Sequence, residues 1–90
     1  MSVQIGEYRS KIDEIDGQIV GLLEKRAEYA VEIAKLKKGH GLPVPDAARE
    51  ATVLDSVTEL ANDMCGHLDG ESVRNIFRMI IEETRTAEEQ

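Results

Sequence analysis

Tryptophan is absent from this chain, and Phe77 with two tyrosines makes up its whole aromatic complement. Sheet cores lean on aromatic and β-branched residues, whereas here Leu, Ile, Val and Ala carry the apolar content, a mixture suited to helices. Cys65 is the only cysteine, which excludes a disulfide framework and a cysteine-based metal site. A reduced, cytoplasmic setting is the simplest expectation. Cys65 itself is expected to be a small buried or half-buried residue at a helix end, since nothing near it in sequence would activate the thiol. A basic excess is also missing: the net charge of −7 argues against nucleic acid or an anionic membrane as partner. No stretch is long and apolar enough to span a bilayer, and no basic-then-apolar leader opens the chain. With 41% hydrophobic residues and no internal repeat, residues 1–90 are expected to form one globular domain.

Proline is confined to Pro43 and Pro45, so long helices are permitted on either side. From Ile5 an apolar stripe runs at helical spacing through Tyr8, Ile12, Ile15, Ile19 and Leu22. The same stripe then meets Arg26, Ala30, Ile33 and Lys37. A helix from about Gln4 to Lys38 is predicted, roughly 50 Å long at about 1.5 Å per residue. A compact monomer of this size should be only about 30 Å across, so the helix overhangs it. The overhang is apolar, which predicts a homodimer packed along the long helix. Gly17 and Gly21 each cost about 1 kcal/mol in a helix interior. They leave two readings open, a close helix crossing in the dimer or a break into two shorter helices.

Gly39 and Gly41 supply stop signals, and Pro43 and Pro45 hold the next segment extended. Asp46 should cap a second helix that turns Ala47, Ala51, Leu54, Val57, Leu60 and Ala61 inward and frays near Asn62 to Met64. Gly66 and His67 read as loop. Asp69 should cap a third helix whose inner face is Val73, Ile76, Phe77, Ile80 and Ile81, continuing to Thr84 and Glu88. The expected fold is all-α, three helices per chain, in an intertwined helical homodimer.

Polar residues interrupt each apolar face: Arg26 and Lys37 on the first helix, Glu50 on the second, Thr84 and Glu88 on the third. A single arginine can lay its stem on apolar surface and reach outward to water. The set points instead to one enclosed polar pocket for a small anion. Local charge agrees, since Lys25, Arg26, Lys35, Lys37 and Lys38 cluster in the second half of the first helix. His40 and His67 lie off every periodic face and are expected in solvated loops. No nucleophile has an adjacent base, so chemistry at this pocket would proceed by positioning and electrostatics.

Over almost its whole length the chain resembles the all-helical chorismate mutases of the small bacterial homodimeric type. The resemblance rests on Tyr8-Arg9-Ser10-Lys11-Ile12-Asp13-Glu14-Ile15-Asp16, Leu22-Leu23-Glu24-Lys25-Arg26, Lys35-Leu36-Lys37, Pro43-Val44-Pro45-Asp46-Ala47-Ala48-Arg49-Glu50 and Ile80-Ile81-Glu82, in order and at matching separations. It implies conversion of chorismate to prephenate in aromatic amino acid biosynthesis, with no cofactor, metal or covalent intermediate. It further implies that Arg26, with an Arg9 contributed across the dimer interface, pairs with the two substrate carboxylates, a bidentate task suited to guanidinium. Lys37 would donate to the ether oxygen and touch a carboxylate. Glu50 and the backbone near Asp46 would hold the ring hydroxyl, Thr84 would stand for a serine that meets a carboxylate, and Arg49 would support this shell.

Glu88 departs from the commonest bacterial pattern, which has glutamine where the second hydrogen bond reaches the ether oxygen; fungal relatives carry glutamate there. An ionised carboxylate only accepts, so Glu88 is expected to act protonated, aided by partial burial. The alternative is that Glu88 frays with the terminus and faces water. Two sister activities on the same scaffold remain as alternatives, rearrangement of 4-amino-4-deoxychorismate and isochorismate pyruvate lysis, although the Asp46 and Arg49-Glu50 pattern resembles the mutases. A non-enzymatic helical dimerisation module is the remaining reading. Against it, two same-sign charges on the seam do not resemble paired coiled-coil positions.

Overall fold

The computed structural model describes residues 2–90, with side chains from residue 4 onward. It is built from three α-helices, α1 (Ser2–Gly39), α2 (Ala47–Met64) and α3 (Gly70–Glu88), with no strand among the described residues. Among the described residues no helix is long and apolar enough to cross a membrane. The order and caps match the sequence expectations, while α1 starts earlier and ends one residue later than predicted.

α1 is one unbroken helix of 38 residues, and the molecule extends 59 Å along its longest axis. Gly17 and Gly21 do not divide it, which removes the reading of two shorter helices. Its end is set by backbone chemistry: Gly41 takes a left-handed conformation with φ 69°, the Leu42 N–H donates to Lys37 O at 2.7 Å, and the Gly41 N–H donates to Lys38 O at 3.2 Å. This pair of bonds is the Schellman termination, in which a residue without a Cβ satisfies the last orphan carbonyls.

α2 and α3 lie against each other, and α3 also packs on the C-terminal half of α1. Close approach there depends on small residues. Among the described residues Ala34 of α1 and Ala61 of α2 are the buried apolar side chains, and no large side chain is fully buried. Between α2 and α3, Asn62 Oδ1 accepts the Gly70 N–H at 2.8 Å, and a Cβ on Gly70 would come within 2.6 Å of that amide.

The inner face of α2 is rotated from the predicted one, whereas α3 turns Val73, Phe77, Ile80 and Ile81 inward as predicted and departs only at Ile76. Leu60 is 63% exposed and Ala47 and Ala51 are exposed, whereas Val53 and Thr58 turn inward beside Leu54 and Val57. Thr58 can do so because its hydroxyl donates to Leu54 O at 2.6 Å and accepts from Arg74 Nη1 at 3.2 Å, leaving no unmet polar atom. Ile76 likewise points away, 50% exposed, and on α1 Ile33 is 54% exposed while Ala34 faces α3. Cys65 is exposed rather than buried: it occupies the left-handed C-cap of α2, where its Sγ donates back to Asn62 O at 3.3 Å. Both histidines lie in exposed turns, as expected.

Every described residue from Gln4 to Lys25 is exposed, including Ile5, Tyr8, Ile12, Ile15 and Ile19. The accessible surface is 7301 Å², whereas a compact 10.0 kDa chain should show about 5,200 Å². The surplus of roughly 2,000 Å² lies on the N-terminal half of α1 and on the outward apolar residues of α2 and α3.

Asp69 caps α3 by accepting the Ser72 N–H at 2.8 Å, and these bonds to Ser72 hold its carboxyl below the usual carboxylate value. A depressed folded-state value contributes stability above the unfolded-state titration, and that contribution disappears as pH falls through the folded-state value. Asp69→Ala should therefore lower the melting temperature by a few degrees at neutral pH and by less in strong acid. Melts with an equal deficit at about pH 7 and about pH 2.5 would contradict this assignment.

Candidate active site

The C-terminal half of α1, the connector between α1 and α2, the first turns of α2 and the last turns of α3 enclose a cavity of about 520 Å³. All the residues predicted for a pocket on one chain line it: Arg26, Lys37, Asp46, Glu50, Thr84 and Glu88. Arg9 does not. It lies on the exposed half of α1, seventeen positions before Arg26 and hence about 25 Å away along the helix.

Arg26 is half-buried, and its Nη1 donates to Thr84 Oγ1 at 3.3 Å, so the guanidinium turns into the cavity instead of reaching out to solvent. The Thr84 hydroxyl, itself buried, donates to Ile80 O at 2.6 Å. That geometry leaves the hydroxyl oxygen free to accept from Arg26. Among the described residues no carboxylate lies within ion-pair distance of Arg26. Its charge inside a partly desolvated site is thus matched only by a neutral acceptor, which favours an incoming anion.

Lys37 is fixed from the connector side. Its ammonium donates to Val44 O at 3.2 Å and lies 3.9 Å from Asp46 Oδ2. Asp46 also accepts the Arg49 N–H at 3.0 Å as the N-cap of α2, so one carboxylate fixes the start of a helix and faces the lysine. Lys38 Nζ donates to the main-chain carbonyl of Glu88 at 3.2 Å, tying the end of α3 to α1. Glu88 remains within α3, is half-buried and borders the cavity, in contrast to the alternative of a frayed, solvent-facing residue.

An ion pair in the cavity wall escaped the sequence reading. Arg85 Nη2 donates to both oxygens of Glu50, at 2.7 and 2.9 Å. This pair raises the Arg85 guanidinium above its ordinary value, chiefly through the hydrogen bond and charge of Glu50, with smaller contributions from Glu82 and Glu89. The signal was available: Ile81, Thr84, Arg85 and Glu88 follow the three- and four-residue spacing of one helix face. Lys38 and Arg49 complete the basic lining, while Ile33, Ala34, Val53 and Ile81 supply apolar walls. Among the described residues no cluster of His, Cys, Asp and Glu could hold a metal ion. The cavity can bind a compact polyanion, hold it against apolar walls and direct cationic donors at it.

Comparison with known proteins gives a consistent picture. The family model described as chorismate mutase type II matches residues 8–89. A chorismate mutase from Methanocaldococcus jannaschii is 31% identical over 90 residues, covering 100% of this chain and 89% of the relative. The bifunctional chorismate mutase/prephenate dehydratase of Escherichia coli is 36% identical over 76 residues, spanning 84% of this chain but only 19% of that longer protein. Among solved structures, chorismate mutase (form II) from Thermus thermophilus superposes with a TM-score of 0.90 at 29% identity, covering 97% of this chain and 96% of that one.

Proposed function

The chain belongs to the chorismate mutase type II family, and from that premise we propose that its cavity binds chorismate and rearranges it to prephenate, a step towards phenylalanine and tyrosine. The observation that carries this reading is the half-buried Arg26 without a carboxylate partner, facing a cavity of about 520 Å³ lined on its other sides by Lys37, Glu50, Thr84 and Glu88. The cavity has room for a small dianion and holds cations placed for its carboxylates.

The reaction is an intramolecular isomerisation: the ether C–O bond breaks as a C–C bond forms between the ends of the same molecule, with no proton or electron supplied from outside. The protein's contribution is therefore conformational and electrostatic. Arg26 takes one carboxylate and Arg9 of the partner subunit the other, which folds the enolpyruvyl arm over the ring and holds the reacting carbons close. Lys37 donates to the ether oxygen as negative charge develops there. Thr84 adds a hydrogen bond to a carboxylate, and Glu50 with the backbone at Asp46 receives the ring hydroxyl. Glu88, at the border of the cavity, is the remaining polar side chain placed to meet the substrate.

Surface as well as chemistry supports a partner chain. Two copies covering their surplus of roughly 2,000 Å² each would bury on the order of 4,000 Å², the range of obligate homodimers. An overhanging α1 laid across the partner would also carry Arg9 to a cavity that its own chain cannot reach. The net charge of −7 supports a cytoplasmic enzyme with no nucleic acid or membrane partner. A helical dimerisation module would account for the seam but not for the enclosed cations. Lyase action on isochorismate has no support among the relatives reported above, which carry mutase names.

Replacing Arg26 or Lys37 by alanine should leave the helical content unchanged and lower kcat/KM for chorismate by about 10²–10³ each, as for loss of a transition-state donor. Either variant retaining near-normal turnover would remove that residue from the mechanism. Co-expressing Arg9→Ala and Lys37→Ala chains should regain about a quarter of wild-type activity, because half the dimers would hold one intact composite site. No regain would place Arg9 in its own chain's site, and an Arg9→Ala protein active on its own would place it outside the chemistry. Glu88→Gln should change kcat/KM for chorismate while leaving the helical content unaltered; unchanged turnover would assign Glu88 to the solvent.

A further inference from the structure

The rearrangement as described requires nothing of Arg85, yet this side chain makes the most direct charged contact in the cavity wall. One terminal nitrogen of Arg85 spans both oxygens of Glu50, at 2.7 and 2.9 Å. The pair is partly sheltered, with side chains 46% and 31% exposed. Glu50, Ile81 and Arg85 border both the main cavity and a shallower groove of about 300 Å³ lined also by Leu54, Arg78 and Glu82, so the ion pair stands as a partition between the two.

We propose that Arg85 is a specificity-determining positioning residue, which holds and neutralises Glu50 so that this wall accepts a neutral hydroxyl on the ligand's ring and disfavours a cationic ammonium in its place. The inference rests on the reading of Glu50 as the partner of the ring substituent. An ionised carboxylate offers about four lone-pair positions. Arg85 engages one on each oxygen and leaves others open towards the cavity. A hydroxyl needs only one such acceptor and brings no charge.

An ammonium brings a second cation to a carboxylate that already has one. Against an unpaired Glu50 the ammonium would gain a full ion pair; against the Glu50–Arg85 pair it meets the guanidinium's charge a few ångströms behind the oxygens. Discrimination of this kind works by an unfavourable element set against the wrong ligand, here one positive charge. Partial exposure screens the repulsion, which limits the effect to roughly tenfold rather than thousands. Glu82 and Glu89, the other carboxylates acting on Arg85, come from α3 and its C-cap and help to keep the guanidinium in place as a cation.

The test compares kcat/KM for chorismate and for 4-amino-4-deoxychorismate in the wild type, Arg85→Gln and Arg85→Lys. The ratio is taken within each variant, so partial loss of folded protein cancels. The wild type should favour chorismate, Arg85→Gln should lower the ratio by about tenfold, and Arg85→Lys, which keeps the charge, should restore most of it. Equal losses on both substrates, with the ratio fixed, would reduce Arg85 to a structural support and overturn the proposal, as would wild-type preference for the amino compound. In either case conversion of chorismate would leave the mutase reading standing. Wild-type protein that converts neither compound would refute that reading, and this inference with it.

Discussion

A helix longer than anything its own chain can cover is the constraint on which this molecule depends. α1 buries only its C-terminal half, and it does so through alanines, which let α3 approach closely but contribute little apolar area of their own. The folded chain consequently has almost no core of large side chains. A monomer of this kind would be marginal, since small domains already bury a modest fraction of their surface. Under the proposed function, stability and site completion become one problem with one solution, a second copy laid along the uncovered stripe.

The cavity shows a division between charges that are satisfied and charges that are not. Arg85 and Glu50 neutralise each other, and Lys37 has Asp46 and a carbonyl nearby. Among the described residues Arg26 has a hydroxyl alone. A cation with no counter-charge in a half-buried place costs free energy in the empty protein, and under the proposed function that cost is recovered when a substrate carboxylate arrives. The site is thus electrostatically incomplete at one chosen point, whereas its other polar groups are fixed by mutual contacts and need little rearrangement.

Much of this could be read from residue order. The caps at Asp46 and Asp69, the glycine stop after α1 and the overhang followed from spacing and turn chemistry alone, and so did the gathering of Arg26, Lys37, Glu50, Thr84 and Glu88. What failed was azimuth. Leu60, Ile76 and Ile33 looked inward by hydrophobicity, but α2 and α3 face each other along rows that admit Thr58, because a hydroxyl bonded to its own helix backbone can be buried at little cost. Hydrophobic periodicity identifies a face without saying which neighbour covers it, and in an unaccompanied chain the most apolar residues are left for a partner. Arg85 was passed over for a related reason: a charged residue at the edge of a stripe reads as solvent-facing until its counter-ion on another helix is known.

The connector after α1 holds Lys37 at two points. Its carbonyl accepts the Leu42 N–H and its ammonium donates to Val44 O, while Pro43 and Pro45 stiffen the segment that supplies both. The last turn of the helix and the following loop therefore form a jig around one side chain. Lysine is among the most mobile side chains in an unfolded protein, and immobilising it carries one of the larger entropic penalties. Here that penalty is met when the chain folds, before any ligand is present, so the encounter itself has no long flexible amine left to freeze.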